Sequence, residues 1–260
     1  MEITMLKKII MGAALLASTS FATYSTFPVP AAQSGEARLN ADFSMQDKWK
    51  GLDLAVKGRF VPVQNLELFL NLPFAVVTRW DGNDVDQERM KNMTFGARYQ
   101  IIPNVAGFLD VTFPTGKKAY DDDGVTFYFG GQYSQDFGAV GLGTELGLAI
   151  TTEGDDKVKP PMELSLNAEL DPNVSPVISP YFGATLKVLL NDPKLDGHKA
   201  GDTSGDIGVF PYLGATFKIN EMLSFDANAT FGLGKDYLRY TCGGNDKVSI
   251  TLEAGIIAKF

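Results

Sequence analysis

The chain has 260 residues, 21% of them charged, with a formal net charge of -8 and a pI near 4.7. That acidity excludes nucleic acid as a partner, because neutralising phosphates takes clustered Lys and Arg. A single cysteine, Cys242, excludes an internal disulfide framework, and with no histidine near it in sequence it reads as an inert loop thiol rather than a nucleophile.

The first segment, residues 1–22, places Lys7 and Lys8 before an apolar run from Ile9 to Ala17 and then small residues at Ser20 and Ala22. These are the three regions of a secretory signal peptide. The apolar run falls far below the ~20 residues of a spanning helix, so export with cleavage after Ala22 is expected rather than a membrane anchor. No Cys follows the cleavage site to carry a lipid. Residues 23–35, with Pro28 and Pro30, form an extended lead.

From residue 36 to 260 the sequence alternates at period two. Strands are predicted at Glu36–Met45, Gly51–Val61, Leu66–Val77, Asn92–Ile102, Val105–Phe113, Val125–Ser134, Ala139–Ile150 and Met162–Leu170. The third is the clearest, with Leu66, Leu68, Leu70, Leu72, Phe74 and Val76 on one face against Glu67, Asn71 and Pro73. The ninth and tenth carry a short repeat, Pro180–Lys187 (PYFGATLK) and Pro211–Lys218 (PYLGATFK), expected to be neighbours, although eight residues are few enough for coincidence. Leu223–Leu233 follows. The last strand, Lys247–Phe260, puts Val248, Ile250, Leu252, Ala254, Ile256, Ala258 and Phe260 on one side, with Ile257 the apolar intruder on the other.

That makes twelve segments, the even number that bacterial single-chain membrane barrels use, and an aromatic residue closes the last one. A tilted strand crosses a bilayer in roughly 9 to 11 residues, which these segments supply. The expected fold is therefore all-β, a closed antiparallel transmembrane barrel in a bacterial outer membrane, with Phe260 the signal read by the barrel-assembly machinery. Links after even-numbered strands are tight, such as Pro62–Asn65 and Pro103–Asn104, whereas those after odd-numbered strands are mostly long and charged. This asymmetry places both termini in the periplasm. Aromatics near strand ends, among them Trp49, Trp80, Tyr99 and Phe113, suit interfacial girdles; in a soluble sandwich they would be core residues.

The strand ending NLPF (Asn71–Phe74), the strand FGARYQII (Phe95–Ile102) and the break at FPTG (Phe113–Gly116) together resemble the outer-membrane transporters associated with the meta-cleavage pathway of phenol degradation. The resemblance covers about strands two to eight and implies a barrel that passes small, often hydrophobic compounds. It carries no residue set to transfer.

The polar faces define a lumen of mixed sign: Asp53, Lys57, Arg59, Glu67, Asn71, Arg98, Asp110, Glu145, Glu163, Glu169, Lys187, Lys218, Asp226 and Glu253. Arg59 and Glu67 are expected to face each other across their turn, as are Lys218 and Asp226. These charges read either as a constriction that selects solutes or as hydrogen-bonded filling. Twelve strands lie between the eight whose side chains fill the interior and the sixteen that leave an aqueous channel, so a narrow or gated pore is expected. Enzymatic readings fare poorly: the one histidine, His198, sits in a loop, and Glu163 and Glu169 are roughly 20 Å apart along one strand. No cofactor is implied, and the acidic runs Trp80–Glu88 and Tyr120–Gly124 do not match a calcium-binding loop, so no metal site is expected. The expected function is a channel or transporter for passive passage of a small hydrophobic or aromatic solute, with outer-membrane lipid as its surroundings. The alternative is a non-conducting structural or surface-interaction barrel whose external loops bind a partner.

Overall fold

The computed structural model describes residues 25–84, 90–116, 123–241 and 248–260; the expected signal peptide, Cys242 and most of the acidic run Tyr120–Gly124 lie outside them. Twelve long strands follow one another: β1 (Gly35–Gln46), β2 (Trp49–Val63), β3 (Leu66–Trp80), β4 (Met93–Ile102), β5 (Val105–Phe113), β6 (Thr126–Asp136), β7 (Val140–Thr151), β8 (Glu163–Pro172), β9 (Ile178–Leu189), β10 (Ile207–Lys218), β11 (Leu223–Gly232) and β12 (Ser249–Lys259). Each pairs antiparallel with its neighbours in sequence. β1 also pairs with β12, Glu36 opposite Lys259 and Met45 opposite Ile250, so the sheet closes on itself. Closure leaves no unpaired edge, which is what lipid demands of a β structure.

The pleat turns the sequence pattern inside out relative to a soluble domain. Leu39, Leu54, Val56, Phe95, Leu109, Leu146 and Leu252 face outward and are exposed, while Asn40, Glu67, Arg98, Asp110, Glu145 and Asp226 are buried within. Such a surface is stable only against hydrocarbon. Trp49 and Trp80 pair at one end of β2 and β3, and Phe260 pairs with Gly35 at the other, its ring edge lying over the glycine.

The twelve predicted strands are the twelve observed, with two local departures. Opposite Leu52 and Asp53 the ladder skips Val76, a bulge that turns Val77 outward and Thr78 into the lumen, so Val76 is not on the apolar face expected of it. A second irregularity near Val61 frees that residue's N–H and carbonyl to bond Ser34 and Gln33 of the lead.

One end of the barrel carries tight turns, with Asn65 (φ 69°) and Gly138 (φ 80°) in the left-handed conformation that reverses the chain. The other end carries the long links, except that β1 and β2 are joined by only Asp47 and Lys48. There the links 152–162 and 190–206 form a small sheet from Val158–Lys159, Lys194–Leu195 and His198–Lys199. Asp192 ties this region down: Lys199 donates to its carboxylate at 2.6 Å, as do the backbone N–H groups of Thr203 and Ser204, at 2.9 and 3.0 Å. The lysine contact and these N–H bonds pull the carboxyl down from 3.8 to about 2. A carboxyl depressed in this way contributes order that is full above the unfolded value and lost as pH falls through the folded one. Carbon-13 titration of the Asp192 carboxyl should therefore give a midpoint near 2, and Lys199→Ala should move it toward 3.8.

The repeat PYFGATLK and PYLGATFK falls on adjacent strands, β9 and β10, and its purpose is visible in the register. Tyr181 lies opposite Gly214 and Gly183 opposite Tyr212, so each tyrosine ring covers the other copy's glycine. A Cβ on Gly183 would sit 2.5 Å from the Tyr212 hydroxyl, and one on Gly214 would sit 2.5 Å from the Tyr181 ring. Glycine is required here by space, not by backbone conformation.

Candidate functional site in the barrel lumen

Every second residue of each strand projects into the lumen. The expected pair of Arg59 and Glu67 does meet, Nη1 to Oε2 at 3.4 Å, within a larger set. Arg59 also bonds Glu36 at 2.8 Å, and Glu67 takes a second guanidinium, Arg98, at 3.0 Å. Arg98 is 2% exposed. Next to this set, across the β1–β12 seam, Arg38 bridges Asp226 and Glu253, both at 2.6 Å, and Tyr181 and Thr216 donate to Asp226 as well. The expected pair of Lys218 and Asp226 is not formed. Lys218 sits opposite Ser224 at the rim and turns to Glu221 at 2.9 Å, because Asp226 lies deeper, opposite Thr216.

The remaining predicted lumen residues divide by height. Asp53 is bonded by Lys91 at 2.9 Å; Asp42 lies directly opposite Asp53 on one side and Glu253 on the other, making a row of three acids. Lys57 and Asn71 are opposite one another between β2 and β3. Glu145 accepts from Tyr128 at 2.6 Å and from Gln132 at 2.7 Å. Glu169 accepts from Tyr212 at 2.8 Å, and Glu163 pairs with Lys187 at 2.9 Å. His198 is exposed in the small sheet, away from these groups.

Two short segments enter the lumen. At the tight-turn end the lead does not hang free: it climbs the inner face of β4. Val29 N–H donates to Gln100 at 2.8 Å, Arg98 donates to the carbonyls of Phe27 and Ser25, both at 2.5 Å, and Gln132 adds a bond to Ser25 at 3.0 Å. Thr26 and Phe27 lie over Gly143 and Gly141, whose missing side chains leave the space. At the long-loop end, α1 (Lys235–Thr241) folds inward. Its Tyr237 and Leu238 are each 1% exposed, pack with Leu189 and Phe210, and Tyr237 donates to Glu163.

The sequence did not mark several of these residues. Arg38 and Tyr181 lie on strand faces whose polar partners are far away in sequence. Lys91 belongs to a predicted loop yet reaches Asp53. The lead has no periodicity to read, and α1 is a seven-residue helix of about two turns inside a predicted loop.

A closed barrel with an apolar exterior and a polar interior defines an outer-membrane β-barrel. Residues 20–241 match the family described as "Putative MetA-pathway of phenol degradation", and the chain belongs to that family. No curated protein sequence matches it. Among solved structures, an outer membrane channel from Pseudomonas putida F1 has a TM-score of 0.72 at 12% identity, over 93% of this chain and 100% of that one. The NanC porin follows at 0.57 and 8% identity, over 86% and 100%. The CymD monoaromatic hydrocarbon channel gives 0.52 and 7%, over 88% and 89%. At such identities the likeness is one of fold, that of barrels in the bacterial outer membrane.

Proposed function

We propose that this barrel is a channel for the passive passage of a small hydrophobic or aromatic solute, with both termini on the periplasmic side. One observation carries the reading: among the described residues the polar lumen is entered by two short segments, the lead and α1, and by no folded plug domain. Segments of this size move on microsecond to second timescales, so obstruction at rest is compatible with transport. The loop asymmetry supports the orientation, and the family description and the CymD channel are in keeping with the solute class. In the same reading Phe260 presents β12 to the assembly machinery, and the mixed charges around Arg59, Glu67 and Arg98 form the constriction.

The test is planar-bilayer conductance of the refolded mature chain, with a heat-modifiable gel shift confirming the folded barrel. Discrete steps are expected, and Arg59→Glu should shift the reversal potential in a salt gradient toward cations, since it removes a cation between Glu36 and Glu67. Unchanged selectivity would remove Arg59 from the constriction. A folded barrel that never conducts would favour the non-conducting interaction scaffold.

A further inference from the structure

The pairing ladders place four lumen positions in one row around the wall: Phe69 opposite Gly96, Gly96 opposite Asp110, and Asp110 opposite Tyr128. Strands are roughly 4.8 Å apart, so the two rings stand one on each side of the carboxyl, well within side-chain reach. Glycine in the row leaves a gap that the others close in on. A Cβ on Gly96 would lie 2.0 Å from the Phe69 ring and 2.4 Å from Asp110 Oδ1.

Asp110 is 4% exposed, and its Oδ1 has no hydrogen-bond partner among the described residues. The charged groups near enough to act on it are Glu145, Arg98 and Glu67. Arg98 is committed to Glu67 and to the carbonyls of the lead, and Glu145 to Tyr128 and Gln132. Four carboxyl groups, Glu36, Glu67, Asp110 and Glu145, thus share two guanidinia, Arg59 and Arg98, and Asp110 Oδ1 is left without a partner. Across the lumen the same excess recurs: Asp42 and Asp171 also hold buried carboxyl oxygens without a partner.

A buried carboxyl of this kind is costly to ionise and holds its proton unless a cation accompanies the charge. A carboxylate between two aromatic rings is matched by an ammonium group attached to an apolar body, whose charge the acid takes and whose flanks the ring faces attract. We propose that Asp110, Phe69 and Tyr128 form a binding point for small organic ammonium ions, and that the lumen passes such cations in preference to anions. This rests on the channel reading and narrows its solute class to aromatic or aliphatic amines. The lead's bonded carbonyls at Arg98 lie one row nearer the tight-turn mouth, so the binding point lies directly behind the obstruction.

The test is isothermal titration of the refolded full chain with benzylammonium, against benzyl alcohol and benzoate, with protein-free micelles as the blank. Titrations last far longer than the opening of a short segment, so the resting obstruction does not hide the site. Saturable binding of benzylammonium alone is expected, weakened about tenfold or more by Asp110→Asn and largely kept by Asp110→Glu. Equal binding of benzoate or benzyl alcohol, or an Asp110→Asn variant that binds like the parent, overturns the proposal. If Asp110→Asn does not refold, the three probes on the parent chain still decide. A barrel that conducts without binding benzylammonium refutes this site and spares the channel; one that binds it but never conducts keeps the binding point and refutes both the channel and the passage of cations.

Discussion

A refolded chain that starts at Gln33 is expected to conduct several-fold more current per channel than the chain that carries the lead. Residues 25–29 contribute peptide groups, the Thr26 side chain and the Phe27 ring to a cross-section that the barrel would otherwise leave to water, and their bonds to Arg98, Gln132 and Gln100 fix them there. Removal leaves Arg98 paired with Glu67 and bonded to Gln132, so the guanidinium is not stranded. Water replaces the lost carbonyls at small cost in an aqueous lumen. A second variant tests the same idea with the lead intact: Gly143→Val puts carbon where Thr26 now sits, since even a Cβ there would be 2.4 Å from Thr26 Oγ1. It should also raise conductance. If both variants match the parent trace, the lead does not limit the passage.

The second large effect concerns two adjacent glycines of β6. Gly130→Ala is expected to destabilise the barrel by about 1–3 kcal/mol or more, whereas Gly131→Ala should be neutral or stabilising by roughly 0.5–1 kcal/mol. A Cβ on Gly130 would lie 2.0 Å from the Leu146 carbonyl oxygen and 2.8 Å from the Gly147 Cα, both backbone, so β6 and β7 would have to separate. On Gly131 the nearest atom would be the Ala106 carbonyl oxygen at 3.8 Å, an ordinary contact, and the residue faces outward. Neither glycine has positive φ, so the contrast is purely one of space. Urea midpoints in lipid vesicles should fall for the first variant and hold or rise for the second. Similar midpoints would show that the ladder between β6 and β7 can open without cost.

Strand existence was legible in the sequence because each wall residue answers to a single rule, apolar toward lipid and polar toward the lumen. That rule operates at period two wherever one face is pressed against hydrocarbon. It fails at Val76, where a bulge inserts one extra residue into β3 opposite Leu52 and Asp53, a matter of pairing that the alternation of β3 alone does not display. The pairing of Arg59 with Glu67 was legible because a short turn fixes it locally. The bridge from Arg38 to Asp226 joins residues at opposite ends of the chain, and only closure of the sheet brings them together. Lys218 departs from expectation for a related reason: distance from the turn alone sets it against Asp226, whereas the register gives it Ser224 and the rim. The lead escaped because polar lumen contacts, rather than an apolar stripe, hold it in place, and α1 because its apolar partners, Leu189 and Phe210, lie on strands distant in sequence.

The seam between β1 and β12 has a consequence for how the molecule is made. Glu36 meets Lys259 and Gly35 meets Phe260, so the first strand waits for nearly the whole chain before it acquires its second neighbour. Until then the sheet is an open ribbon with two bare edges, each a template for strands of other molecules. Contacts of such long sequence separation form slowly. Closure is thus necessarily a late and vulnerable event, and the interval before it is when the two unfinished margins are most open to strands of other molecules.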